Sequence, residues 1–339
     1  MPPLAHIAIH PSQFPARVRR DLRDSLRARR INPKFHYDSV KQTQQWLALH
    51  AAYSPSRTDA DCAASYDRSF AAAVARISSP RVHLVGLGCG GGQKDARLLK
   101  LLLRARKQVL YTPSDVSTAM VLVARETALK VIPEAACFPL VCDLAVAPDL
   151  PATIHRLSPR SLSGASRLFT FFGLIPNFEP QIILPRLARL VRPADLLLFS
   201  ANLAPGPAYA SGVRKILPLY DNALTRAWLM TFLIDLGVAR SDGSLRFTIE
   251  DHPAGTGLKR VAARFHFKRS RTIAVDDETF QFRAGEQITL FFSYRYTPAF
   301  VRQFLSAHRL QVLDQWITRS EEEGVFLCAK KPSGYRARP

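Results

Sequence analysis

Cysteine is scarce in this chain and poorly placed for structural work. Five cysteines occur in 339 residues, Cys62, Cys89, Cys137, Cys142 and Cys328. The number is odd and no two form a C-x-x-C pair, which argues against a zinc site or a disulfide framework and for a reducing, cytoplasmic setting. No uninterrupted apolar run reaches the roughly 18 residues that a membrane-spanning helix needs, so no span is expected. The opening "MPPLAHIAIHPSQFP" lacks a charged segment followed by an apolar one, so no signal peptide is expected. The nine histidines are scattered, with no metal-ligating or Ser-His-Asp constellation, and no internal repeat is present.

What is abundant is arginine and apolar surface. The chain is 47% hydrophobic and carries a formal net charge of +20. A full core can therefore be buried, in one large domain with an insertion or in two smaller ones. The charge favours anionic partners, nucleic acid among them, but says nothing about fold. Its densest patch, Ala16 to Arg30, holds seven arginines and two aspartates. It reads either as an RNA-contacting helix or as a solvated helix burying Val18, Leu22 and Leu26; no aromatic residues interleave it for base stacking.

The stretch "HLVGLGCGGGQKDARLL" sets an apolar run against a glycine cluster, Gly86, Gly88, Gly90, Gly91 and Gly92, and then a helical pattern from Lys94. Such a turn lets backbone approach a ligand closely and points N–H groups at it. The spacing Gly86, Gly88, Gly91 matches G-x-G-x-x-G, which leaves a dinucleotide and S-adenosylmethionine (SAM) both open. Downstream, "KQVLYTPSDVS" predicts a strand ending at Asp115, "FPLVCDLA" one ending at Asp143, and "SRLFTFFGLIPNF" and "ADLLLFSANLAP" two more, with helices between. That alternation predicts an α/β, Rossmann-like core with a mostly parallel, doubly wound sheet.

The pattern then changes to a long helix, Leu217 to Leu236, and antiparallel strands, which read as an inserted α+β domain. The expected organisation is an N-terminal segment 1–60 joining the substrate domain, a core 61–204, an insertion 205–287, a return to the core at 288–332 and a tail 333–339. A terminal antiparallel hairpin around Glu321–Glu323 is the usual ending of class I methyltransferases. In such a fold Asp115 is placed for ribose hydroxyls, Asp143 for the adenine amino group and Lys94 for a carboxylate. Asp115 can equally cap the following helix, and Asp143 can simply end a strand.

"PKFHYDS", "AAYSPSR", "LVGLGCGGGQK", "YTPSDVS", "CDL", "FFGLIPNF", "LYDNALTRAWL" and "GEQITLFFSYRY" occur in that order. Together they resemble the motifs of the SAM-dependent histidine Nα-methyltransferase family of ergothioneine biosynthesis, which includes enzymes methylating tryptophan derivatives. The resemblance implies SAM as cofactor, held by Tyr37, Gly86, Gly88, Gly90, Lys94, Asp115, Asp143 and Leu144. It implies an amino-acid site lined by Tyr53, Asn177, Tyr220, Phe291 and Ser293. Tyr53 or Tyr220 is the candidate to take the leaving proton or orient the nitrogen. Four positions depart from the family: Phe291 stands where a glutamate binds imidazole, Gly86 where an acid is usual, Asn202 where an aspartate ends a strand, and Ser54 where a second tyrosine follows Tyr53.

The implied activity is N-methylation of a small amine, an amino acid or derivative with an aromatic or apolar side chain rather than histidine. An RNA or protein methyltransferase using the basic surface, and a SAM-binding homologue with little catalysis, are the alternatives. No metal, membrane partner or oligomeric state is assigned.

Overall fold

Alternation along the strands decides the layering. In the segments Arg81–Leu87, Ser166–Phe171 and Leu196–Asn202, successive side chains go to opposite faces of a sheet. Val82, Leu84, Leu168 and Leu198 join one apolar cluster while Val85, Leu87, Phe169, Phe171, Leu197 and Phe199 join another. A sheet apolar on both faces must be covered on both by helices.

The computed structural model describes residues 4–157 and 164–331; the tail expected at 333–339 lies outside the described residues. The chain begins with β1 (Ala8–Ile9), α1 (Pro15–Arg27), α2 (Val40–Tyr53), α3 (Pro55–Thr58) and α4 (Ala60–Arg76). The core follows as β2 (Arg81–Leu87), α5 (Gln93–Arg104), β3 (Gln108–Asp115), α6 (Thr118–Leu129), β4 (Leu140–Val141), α7 (Leu150–Leu157), β5 (Ser166–Phe171), α8 (Pro180–Leu190) and β6 (Leu196–Asn202). Next come α9 (Tyr209–Tyr220), α10 (Ala223–Asp235), β7 (Gly243–Asp251), β8 (Lys259–Phe267), β9 (Arg271–Val275), β10 (Glu278–Phe282) and β11 (Gln287–Arg295). The chain closes with α11 (Pro298–Ala307), β12 (Leu310–Ile317) and β13 (Glu323–Lys330).

The main sheet has the order β1-β4-β3-β2-β5-β6-β13-β12. All of its strands run in one direction except β13, which pairs antiparallel with both β6 and the edge strand β12. From β2 the chain winds outward through β3 and β4, then returns to start again at β5 on the other side of β2. The order therefore reverses between β2 and β5, and the crevice at their carboxyl ends is where a doubly wound fold binds its ligand. This is the Rossmann-like class I methyltransferase core with its terminal hairpin.

A third apolar cluster, the core of a second body, lies under the antiparallel sheet β11-β8-β7 and the β9-β10 hairpin. Leu26, Ile31 and Phe35 from the N-terminal segment pack there with Trp228, Phe265 and Leu290, and Val18 and Leu22 lie against the same cluster. The backbone of Arg29–Ile31 bonds to Thr289 in both directions, at 2.9 Å each way. The arginine run is largely engaged with acids: Arg19 with Asp276, Arg23 with Asp277 and Glu278, Arg27 with Glu278, Arg29 with Glu286. It is a strap along the edge of the hairpin.

Three details differ from the sequence reading. The single helix expected over Leu217–Leu236 is two: Pro218 sits in the last turn of α9, and Asn222 starts α10 by accepting the Thr225 N–H at 2.9 Å. β11, expected to open the return to the core, pairs instead with β8 of the second sheet. β4 stops at Val141, so Asp143 lies just beyond the strand and not at its last position.

Candidate active site

A cavity of about 720 Å³ opens over the carboxyl ends of β2 and β5, walled on one side by the core and on the other by α1, α2, α10 and β11. Its floor is the glycine turn. Gly88 is left-handed, φ +65°, and a Cβ there would lie 1.8 Å from Leu174 Cδ1, so only glycine lets the chain turn this tightly beneath the cavity.

The carboxylate of Asp115, at the end of β3, accepts the Gly90 N–H at 3.2 Å and the Ser117 N–H at 3.1 Å. It is not the helix cap, since Ser117 itself caps α6 through the Met120 N–H. Burial raises its pKa to about 6, against the opposing pull of the Ser117 and Gly90 N–H groups. With one N–H on each oxygen the carboxylate retains acceptor capacity, and it lines the cavity.

Asp143 is 3% exposed, and its Oδ1 accepts the Ala145 N–H at 2.9 Å. Its Oδ2 is buried with no hydrogen-bond partner, the nearest cation being the buried Lys34 ammonium at 3.8 Å. A buried acceptor left without a donor costs about 1–3 kcal/mol, which an amino group of a ligand would recover. This orphan oxygen fits an adenine amino group. Leu144 is buried and, like Tyr37, lines the cavity; Tyr37 stands edge-on to Trp46 with ring centroids 5.9 Å apart. Lys94 lines the floor, its ammonium 3.0 Å from the Tyr66 hydroxyl and 4.2 Å from the centre of that ring; burial lowers its pKa.

At the other end, Asn177 donates its amide to the Phe292 carbonyl at 3.0 Å. The Tyr220 hydroxyl donates to Ser293 Oγ at 2.7 Å and accepts from the Arg295 guanidinium at 2.8 Å. Tyr53, at the end of α2, is 53% exposed at the rim. Phe291 is 8% exposed and stands 5.8 Å from the Trp228 ring and 6.2 Å from that of Tyr220, an aromatic wall. Phe292 also borders the cavity but is packed in the main apolar cluster, with the Arg30 and Arg260 guanidinium groups over its ring.

Two expected residues stand back from the wall. Ser293 is 2% exposed behind Tyr220. Gly86 is buried under the Asp95 carboxylate, whose Oδ2 lies 2.2 Å from where a Gly86 Cβ would be.

Trp46, Trp228, Asp95 and Arg295 line the cavity and were not singled out from sequence. Arg295 is 7% exposed and makes no ion pair among the described residues, and its Nε is buried without a partner. A buried tryptophan reads as core in any sequence, and an Arg at a strand end reads as surface; the folded chain shows that all of them border the cavity.

The chain is 27% identical over 334 residues, 92% of its length and 95% of the relative's, to a histidine N-alpha-methyltransferase of Mycobacterium tuberculosis strain CDC 1551 / Oshkosh. It is 26% identical over 283 residues, 81% of its length and 73% of the relative's, to the N-methyltransferase imqF of Aspergillus flavus. Among solved structures, a magnesium protoporphyrin IX methyltransferase of Synechocystis PCC 6803 superposes with a TM-score of 0.46 at 15% identity, over 87% of this chain and 97% of that one. The family model described as histidine-specific, SAM-dependent methyltransferase matches residues 18–330, so the chain belongs to that family and is a methyltransferase whose cofactor is S-adenosyl-L-methionine.

Proposed function

We propose that the enzyme methylates the amino group of an amino acid, or a close derivative, whose side chain is aromatic or apolar rather than imidazole. The observation that carries this is the wall made by Phe291, Trp228 and Tyr220. A site that recognises imidazole needs a hydrogen-bond acceptor, and a benzene ring offers none in its plane; it offers apolar area and an edge for another ring. The uncompensated Arg295 guanidinium behind Tyr220 favours a carboxylate on the substrate, because a buried cation without a counter-ion costs free energy until one arrives.

In this reading Tyr37, Gly88, Gly90, Lys94, Asp115, Asp143 and Leu144 hold the cofactor, which supplies a methyl group activated on a sulfonium. The protein's part is alignment and a neutral amine. The Tyr220 hydroxyl is fixed by Arg295 and Ser293 and retains one acceptor position, enough to orient an N–H of the substrate. Asn177 positions the amino-acid end beside it. Tyr53, open at the rim, passes the leaving proton to solvent.

The test is incubation with SAM and single amino acids, read by mass spectrometry. Methylated phenylalanine, tyrosine or tryptophan without methylated histidine is the expected result, and Phe291→Glu should move turnover toward histidine. Preferred turnover of histidine by the unaltered enzyme would sink the proposal.

A further inference from the structure

The floor of the cavity contains a carboxylate that no motif in the sequence marks. Asp95 lies in the first turn of α5, one residue after Lys94, and is 3% exposed. Its Oδ1 accepts the Thr170 hydroxyl at 2.8 Å and its Oδ2 the Tyr111 hydroxyl at 2.7 Å. These two neutral donors hold the group rigidly but do not neutralise it. Among the described residues it makes no ion pair, and it lines the cavity.

Its position is set by Gly86. The space a side chain at Gly86 would fill is taken by the Asp95 carboxyl, 2.2 Å from the ideal Cβ. Gly86 is the last residue but one of β2, where the family resemblance implies an acid. The acid is present after all, supplied from the facing helix.

From this geometry we infer that Asp95 is a cofactor-binding residue that replaces in space the acid missing at Gly86, its carboxylate receiving the α-ammonium of the methionyl end of SAM. The charges are complementary. The methionyl end carries an ammonium and a carboxylate, and the floor offers the Asp95 carboxylate beside the Lys94 ammonium. A buried, unpaired charge is costly, and a ligand cation that pairs with it recovers that cost in binding. The partial positive charge at the start of α5 makes the carboxylate tolerable in the free protein. The inference rests on the cofactor and not on the proposed substrate.

The experiment is calorimetric titration with two ligands, S-adenosylhomocysteine and 5′-methylthioadenosine. They share the adenosine and the sulfur, but only the first has the amino-acid end. Asp95→Asn should weaken S-adenosylhomocysteine about tenfold or more, the scale of a lost charge-assisted hydrogen bond, and leave 5′-methylthioadenosine within about twofold. Equal losses for both ligands would show that Asp95 only maintains the floor and would overturn the inference, as would unchanged binding of both.

The exchange Gly86→Asp with Asp95→Ala tests the replacement itself. It should bind S-adenosylhomocysteine more tightly than Asp95→Ala alone; binding no tighter than that single variant would refute the replacement. Should Asp95→Asn not fold, the exchanged protein decides. A preference for S-adenosylhomocysteine over 5′-methylthioadenosine within about threefold of the unaltered protein's sustains the inference, and a preference about tenfold smaller ends it.

Discussion

Asp95 and Asp115 are carboxylates pushed up to about 6, each chiefly by burial. The signs of two pH effects follow. A carboxyl raised above its unfolded value stabilises the fold when protonated, so this contribution is complete below the unfolded value of 3.8 and is lost as pH rises through about 6. In the cofactor-binding roles proposed for these two residues the ionised forms bind, so affinity runs the other way. The free protein should lose stability between pH 5 and 7 relative to its Asp115→Asn variant, while the affinity for S-adenosylhomocysteine rises over the same interval. Calorimetry and thermal unfolding at both pH values check this; affinity that is flat with pH would disprove it. Gly92 makes a separate case, since its φ is +75° and an added Cβ would meet the Ala124 Cα at 2.8 Å, backbone that cannot rotate away. Gly92→Ala should cost about 1–3 kcal/mol in denaturant unfolding and weaken the cofactor with it. That Lys94, Asp115 and Asp143 line the cavity was legible because each stands at a strand end, just beyond one, or in the first turn of a helix, where local rules place side chains. The parts played by Asp95 and Arg295 were not, because they lie in what faces them across space: the missing Gly86 Cβ in one case and, among the described residues, no counter-ion in the other.

Elements from three parts of the chain meet at Glu179, the residue before α8. Its carboxylate takes the Arg30 guanidinium of the N-terminal segment, the Tyr294 hydroxyl of β11 at 2.8 Å, the His252 ring at 3.2 Å and the Arg260 guanidinium of β8 at 3.6 Å. Burial pushes its pKa up, but the Arg30 and Tyr294 hydrogen bonds and the neighbouring charges more than offset this and hold it low. Removing one member of such a cluster strands the others, so Glu179→Ala should destabilise by about 3 kcal/mol. Arg27→Ala, which releases an exposed pair with Glu278, should leave the unfolding midpoint near that of the unaltered protein. Equal effects from the two changes would contradict the placement of the junction at Glu179. The core elements were legible because their strands are continuous apolar runs punctuated by Gly, Pro and Asp. The break at Asp221–Asn222 was hidden because apolar residues continue at helical spacing across it. The allegiance of β11 was hidden because pairing with β8 is a long-range choice that the alternation within β11 cannot express.

At the scale of the molecule, the two apolar bodies share one cavity, and the N-terminal segment crosses from one to the other. α2 is the clearest contact, since a Cβ on Gly90 would lie 3.1 Å from the Trp46 ring, and Trp46 itself packs with the cluster of the second body. The glycine turn and the α2 wall are therefore two sides of a single binding surface, although 44 positions separate Trp46 from Gly90. A ligand seated between them should order both at once. At a concentration about 100 times its Kd, S-adenosylhomocysteine should add about 2.7 kcal/mol to the unfolding free energy. Hydrogen exchange should slow in Tyr37–Tyr53 as well as in the turn after β2. Protection confined to the turn would mean that α2 is packed against the floor without closing over the cofactor, and Trp46→Ala should then leave affinity unchanged. Protection of both segments, with Trp46→Ala weakening the ligand, would establish that the N-terminal segment is part of the binding site and not merely a strap on the second body.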